Sequence, residues 1–491
     1  MTAPNYLTKF WETLFRPTPP WRAIIGLVAF ILLCFIAGAG KVLVLLYPFL
    51  SLLTAVYLYF KAPDLYVGFT FWQLFVGSFI RRGIDYQAGM LTPGPWNFVA
   101  VLVSFVSVLT LLDELPKFFQ YRSYQRAYLP FILCFSCYFY ATLNGLTRNS
   151  LDAVAINCLF FIAPLSFGFY LFVNWRKYPE LKRVTESSFL WGVIVLGIYG
   201  IWQFLTAPAW DRFWMIAAQT VSFGTPEPLG IRTMSTMSSP QAFASVMMAG
   251  LVLITSQRKN QISFPTSIIG YLTFLLSRAR AGWFSFVVGI LFFTASLKIK
   301  EQIRFIFGIL VLVLVLSQLI YIEPFSSIIL ERFSTLSDSE NDVSLNARKE
   351  IFEGLISLAL REVTGLGIGT DSSWFGGRDG SILPSLFIFG WIGLLFFLSG
   401  LALLLVRIIS QSSASNRDRF SNATLSITIA MLAQAGFNFI FLSSIGTVFW
   451  SFLGITLASQ KYHLYLQHQQ RITQDISENS TENQPVISYR T

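Results

Sequence analysis

ILPSLFIFGWIGLLFFLSGLALLLVRI, residues 382–408, runs for 27 residues with a single charged group, Arg407, near its far end. An α-helix rises 1.5 Å per residue and the hydrocarbon layer of a bilayer is about 30 Å thick, so roughly 20 apolar residues cross it. This stretch is long and apolar enough to do so. Similar runs recur on either side of it. Fourteen spans are read at 23–39, 42–60, 65–80, 97–112, 127–146, 151–174, 188–206, 240–256, 264–279, 281–297, 304–323, 382–408, 421–440 and 442–459. The whole chain of 491 residues is 54% hydrophobic and only 12% charged, with a mean hydropathy of +0.60. A soluble domain carries about 25% charged residues. The expected fold is therefore all-α, a polytopic membrane helix bundle. The alternating segments of a transmembrane barrel, ~10 residues each, are absent. The 49 Phe, 13 Trp and 19 Tyr supply lipid-facing bulk and interfacial anchors.

Charge sets the orientation. Net charge is +10, and 22 of the 35 Lys and Arg fall in the N-terminal arm, the even-numbered gaps and the tail. By the positive-inside rule that side is cytoplasmic, which puts both termini inside a plasma membrane. The organisation read from this is a cytoplasmic arm at 1–22, a bundle at 23–459 and a disordered cytoplasmic tail at 460–491. The cationic inner loops meet anionic lipid headgroups. Nucleic-acid binding is excluded, since no compact basic domain stands outside the spans. Cys34, Cys134, Cys137 and Cys158 all lie in apolar runs, where cysteine acts as a small buried hydrophobe.

Two outer loops are long, 207–239 and 324–380, so surface chemistry is expected on that side. Within the second, SLNARKEIFEGLISLALREV (344–363) places Ile351, Phe352, Leu355, Ile356, Ala359 and Leu360 on one helical face. This is read as an amphipathic helix with Arg348 in its first turns. GLGIGT (365–370) ends it as a turn.

Arg232, Arg278, Arg280, Arg348 and Arg378 all fall on the outer side, where cations are usually sparse. Arg278 and Arg280 stand in SRARAGW (277–283), between two apolar runs, at the tip of a hairpin. A charge at membrane depth costs at least ~2.5–3.5 kcal/mol, so a functional role is the first hypothesis and snorkelling to headgroups the plain alternative. Arg81 and Arg82 open the 81–96 loop and are read as substrate-holding, or as a topology exception tied to Asp85. Guanidinium forks grip phosphate oxygens bidentately and stay charged. Asp379, beside Arg378, is a candidate base for a sugar hydroxyl, or else an acid placed at a helix N-terminus. The only histidines, His463 and His468, lie in the tail, so no outer His base exists. The acidic cluster Asp338, Glu340 and Asp342 lacks a full calcium-loop pattern and reads as solvated.

In this order, four segments resemble the O-antigen ligase/polymerase superfamily (Wzy-type polymerases and WaaL-type ligases). They are GIRTMSTMSSPQAFA (230–244), LSRARAGWFSFVVG (276–289), NARKEIFEGLISLALREVTGLGIGT (346–370) and DGSILPSLFIFGWIGLL (379–395). The resemblance covers roughly 225–405. It implies a GT-C-like bundle that joins glycans carried on polyprenyl diphosphate, donor and acceptor both lipid-linked, without cofactor or metal. Arg280, Arg232 and Arg348 would stabilise the leaving diphosphate; Arg278, Arg378, Arg81 and Arg82, from their own placement in the chain, are expected to bind substrate. Other polysaccharide-assembly proteins would be its partners in a bacterial inner membrane. Ligases carry a His where Asp379 stands here, which points to a polymerase with a carboxylate base. The rival expectation is an anion transporter, since some proteins with these segments are described as inorganic-carbon transporters.

Overall fold

The computed structural model describes residues 18–92, 98–219, 221–257, 263–317, 356–370, 380–410 and 418–482. Arg348, Arg378, Asp379, the acidic cluster at 338–342 and most of the expected amphipathic helix lie outside the described residues.

All regular elements among them are helices, apart from one antiparallel bridge between Gly224 and Ile231. In chain order they are α1 Pro19–Ile36, α2 Gly40–Lys61, α3 Pro63–Ala88, α4 Val99–Phe105, α5 Val108–Gln120, α6 Arg122–Leu146, α7 Leu151–Val173, α8 Tyr178–Thr206, α9 Ala209–Ala217, α10 Pro240–Ser256, α11 Ser263–Leu276, α12 Arg280–Ala295, α13 Ile299–Ser317, α14 Ile382–Ser410, α15 Arg419–Gln434 and α16 Ser443–Glu482. Among the described residues, seven segments are long and apolar enough to cross a membrane: α1, α2, the pair α4–α5, α6, α7, α8 with the turn before it, and α14. Shorter apolar helices occupy 240–256, 264–276 and 280–295.

The core is built on close helix contact. α7 is apolar all round and nearly every residue from Phe160 to Phe172 is buried, as expected of a helix at the centre of a bundle. Ser150 caps it by accepting from the Ala153 amide at 3.4 Å. A Cβ on Gly168 of α7 would stand 2.5 Å from the Trp450 carbonyl oxygen of α16, and one on Gly454 would stand 2.2 Å from that of Gly168. Backbones approach this closely only where small residues line the seam. Many buried hydroxyls bond within their own helices: Thr70 donates to the Tyr66 carbonyl at 2.9 Å and Thr428 to that of Thr424 at 2.9 Å.

Charge is sorted to the two ends of the bundle. α8, 29 residues long and so about 43 Å by its rise, has Lys182 and Arg183 in its first turns and Tyr199 and Gln203 in its last. Near the first end lie Lys182–Asp418 at 2.8 Å and Arg183–Asp64 at 3.9 Å. At the other lies Arg82–Asp211 at 2.9 Å.

Several boundaries differ from the sequence reading. Arg81, Arg82 and Asp85 do not open a loop; α3 continues to Ala88 and ends at Gly89, which has φ 71°. The helix persists because its charges are matched, Arg81 by Asp85 one turn on at 3.5 Å and Arg82 by Asp211. The span read at 97–112 is two helices broken after Phe105, where the Ser107 hydroxyl donates to the Ser104 carbonyl at 2.6 Å. The 207–239 loop contains α9. The helix read through 440 stops at Gln434. α16 passes the expected end at 459 and runs to Glu482, through residues read as a disordered tail.

Candidate functional site

Three of the candidate arginines meet at one turn. α11 ends at Leu276, where the Ser277 hydroxyl donates to the Phe274 carbonyl at 2.6 Å. The chain then passes through Arg278 at φ 51°, a left-handed conformation unusual for a residue with a Cβ, and enters α12 at Arg280. The Trp283 indole donates back to the Phe274 carbonyl at 3.2 Å and closes the hairpin.

The 231–240 segment is laid against this turn. The Thr233 amide donates to the Leu276 carbonyl at 3.1 Å. The Arg232 guanidinium donates to three carbonyls, those of Ser222 at 2.7 Å, Ser277 at 3.4 Å and Arg278 at 3.1 Å. Arg232, Arg278 and Arg280 are thereby gathered at one end of the bundle, and each is partly exposed.

A second centre braces the same segment from beneath. Arg82, enclosed within the bundle, pairs with Asp211 of α9 and donates to the carbonyls of Met237 at 2.8 Å and Ser235 at 2.5 Å. Asp211 also accepts from the Tyr199 hydroxyl at 2.8 Å and the Gln203 amide at 2.7 Å. The Gln203 carbonyl oxygen takes the backbone amides of Met234 at 3.1 Å and Ser235 at 2.8 Å. Ser235 sits at φ 53°, and the Thr236 hydroxyl donates to the Phe75 carbonyl at 2.5 Å. A buried charged network with this many partners fixes one backbone course, so Arg82 positions the 233–237 stretch that leads into α10.

Arg81 lies one residue away and faces a different space. It borders a cavity of about 60 Å³ with Arg82, Gly77, Ser238, Ser443 and Ser444. Its guanidinium stands 5.5 Å from the centre of the Phe98 ring, and Asp85 also accepts from the Thr92 amide at 3.0 Å. Ser443, at the start of α16, has φ 57°. The cavity is thus bordered by both arginines and by serines, with Phe98, Val99, Val101 and Trp214 completing its wall.

GLGIGT is more than a turn. Leu366 and Gly367 donate their amides to the carbonyls of Phe387 at 2.7 Å and Ile388 at 3.0 Å in α14, and Ile368 donates to that of Ala141 in α6 at 2.9 Å. α14 is itself broken at Gly390, with φ 63°, where the strap crosses. Asn149 donates to the Ile368 carbonyl at 3.4 Å and Asn144 to that of Thr364 at 2.9 Å. Asp211, Tyr199, Gln203, Asn144 and Asn149 were not singled out from the sequence. The signal for Asp211 was available: a lone acid in an aromatic stretch, WDRFW (210–214).

No family model matches the chain, and no curated protein matches it.

Proposed function

We propose that the protein is a membrane glycosyltransferase that polymerises oligosaccharide repeats carried on polyprenyl diphosphate, on the outer face of a bacterial plasma membrane. The reading includes a bundle of about fourteen spans related in plan to the GT-C enzymes. The observation that carries it is the gathering of Arg232, Arg278 and Arg280 at one turn, fixed by the Arg232 guanidinium on the 277–278 backbone. Arginine forks are matched to phosphate oxygens, and near hydrocarbon each such contact is strengthened.

In this reading an acceptor hydroxyl attacks the anomeric carbon of the lipid-linked donor. The new glycosidic C–O bond forms as the bond from the anomeric carbon to the diphosphate oxygen breaks. The electron pair leaves with the diphosphate, whose growing negative charge is met by Arg280, Arg232 and Arg348. Asp379 takes the hydroxyl proton, and Arg278, Arg378 and Arg81 hold the remaining phosphate and sugar oxygens. No metal is called on. A ligase would run the same chemistry onto a different acceptor.

The test is complementation. Arg280→Ala, present in the membrane at the normal level, should fail to restore full-length polymer in a deletion strain; full restoration would remove the reading.

One observation favours the rival, an anion transporter: α14 is interrupted at Gly390, and broken helices often line transport sites. Uptake of labelled bicarbonate into vesicles containing the purified chain would favour that alternative.

A further inference from the structure

At the end of the bundle opposite Arg232, three cations crowd around two aromatic rings. Arg407, in the last turn of α14, stands 5.3 Å from the centre of the Phe172 ring, and Lys461 of α16 stands 5.5 Å from the same ring. Lys461 is also 4.8 Å from the centre of Trp175, as is Arg176 at 5.4 Å. The cluster is built in rather than draped over the surface. The Gln460 amide donates to the Ile408 carbonyl at 2.9 Å, clamping α16 to α14 beside the two cations, and Arg407 donates to the Ala127 carbonyl at 3.1 Å. Tyr465 closes edge-on against Trp175 at 5.5 Å.

Like charges held this close repel, and the ring faces offset only part of that. Among the described residues no carboxylate forms an ion pair with Arg176, Arg407 or Lys461. Glu114 is near enough to act on Lys461, but it is engaged by Lys117 at 2.6 Å and by the Tyr128 hydroxyl at 2.9 Å. Lys461 lies past the apolar stretch 442–459. Its ammonium is pushed down to about 8 by burial and by Arg407 and Arg176.

We propose that Arg176, Arg407 and Lys461, with Phe172 and Trp175, form a binding site for the phosphodiester headgroup of an anionic phospholipid. Arg407 approaches from α14, whose exposed Leu398, Leu403, Val406 and Ile409 can take an acyl chain, and Lys461 from α16, which is buried over 446–460. Arg176, exposed on the turn before α8, reaches from the aqueous side. Trp175, on the short turn between α7 and α8, would stand at headgroup level in this arrangement, as aromatic residues commonly do at a membrane boundary. Basic pockets between helices at such an interface recognise lipid phosphates.

The test uses the full chain in nanodiscs of phosphatidylcholine, with or without phosphatidylglycerol, against Arg176→Gln and the double variant Arg407→Gln/Lys461→Gln. Wild type should melt at a higher temperature when phosphatidylglycerol is present and retain it on gentle extraction. Retention should fall about fivefold for each cation removed. Arg176→Gln guards against a folding artefact, because its exposed side chain can be lost without disturbing the core. Inorganic phosphate added to the neutral discs should not reproduce the shift. The proposal is overturned if both variants retain phosphatidylglycerol as wild type does, or if inorganic phosphate alone gives the full shift. Neither readout depends on glycosyl transfer, so this site and the proposed activity can fail separately.

Discussion

Arg232 reaches across the turn between α11 and α12 and donates through Nη2 to the carbonyl oxygen of Arg278, 3.1 Å away. The backbone of one candidate arginine therefore anchors the side chain of another, and charge and strain at this turn can be altered separately. Arg278 holds a left-handed φ of 51°, which costs a residue with a Cβ roughly 1–2 kcal/mol and glycine little. Arg278→Gly keeps the carbonyl that Arg232 uses and removes the backbone penalty that Arg278→Ala retains, so the glycine variant should melt at a higher temperature than the alanine variant. Binding of a labelled polyprenyl diphosphate should nevertheless weaken. A fall in melting temperature without loss of binding would mean that Arg278 is structural only.

Arg82 and Asp211 make a buried pair at 2.9 Å. Removing one partner from such a pair leaves an uncompensated charge, at a cost of about 3–5 kcal/mol, whereas replacing both with apolar groups is often close to neutral. Arg82→Met and Asp211→Leu should each lower the melting temperature strongly, and the double variant should lose less than the sum of the two, since the lone charge is gone while the Met237 and Ser235 carbonyls, Tyr199 and Gln203 still lose a partner. Simple addition of the two losses would show that the side chains act independently.

The strap at 365–370 makes a sharper demand. A Cβ on Gly367 would lie 2.2 Å from the Gly145 amide nitrogen, at a φ of 83°. Backbone cannot yield as a side chain does, so Gly367→Ala combines a left-handed penalty of ~1–2 kcal/mol with a clash. Thermal melting should show a loss of at least that size, and an unchanged midpoint would mean that the strap is not held against α6.

Asp418 joins three helices at the opposite end. It caps α15 through the Ser421 amide at 2.8 Å, accepts from the Tyr178 hydroxyl at 2.9 Å and pairs with Lys182 at 2.8 Å. Burial alone would raise its pKa, but nearby His463, the Lys182 ammonium and the Ser421 amide outweigh that and hold it well below the ordinary 3.8. A depressed folded pKa contributes stability that is fully present above about pH 4 and is lost as pH falls further. Asp418→Asn keeps an N-cap acceptor, since asparagine caps about as well as aspartate, and should cost up to ~1 kcal/mol near neutral pH through loss of the solvent-screened pair with Lys182. The gap from wild type should close on acidification below pH 4. A gap independent of pH would contradict this account of the group.

How far the sequence could be read follows from which forces are local. Apolar runs announced α1, α2, α7 and α14 because burial in hydrocarbon is a property of each run by itself. The end of α3 was misplaced because Arg81, Arg82 and Asp85 look like loop residues until Asp211 is seen to neutralise Arg82. That partner lies far along the chain, and nothing local marks the pairing. GLGIGT was read as a turn for the same reason. Glycine needed for positive φ and glycine needed for close backbone approach look alike in sequence, and the carbonyls that receive this strap belong to Ala141, Phe387 and Ile388. The arginine cluster was legible in part, since Arg278 and Arg280 share one short hairpin tip. What brings Arg232 to them is its hydrogen bonding to carbonyls, which hydropathy does not register.

The central claim is that these guanidinium groups stabilise a departing diphosphate. Its most direct test is incubation of the purified chain with a polyprenyl-diphosphate oligosaccharide, with products resolved by size. Wild type should yield a ladder of lengthening glycans, and Arg280→Ala should slow it by roughly 10²–10³-fold, the usual cost of losing one donor to developing negative charge. No ladder from well-folded wild type, or an undiminished one from Arg280→Ala, would contradict the account.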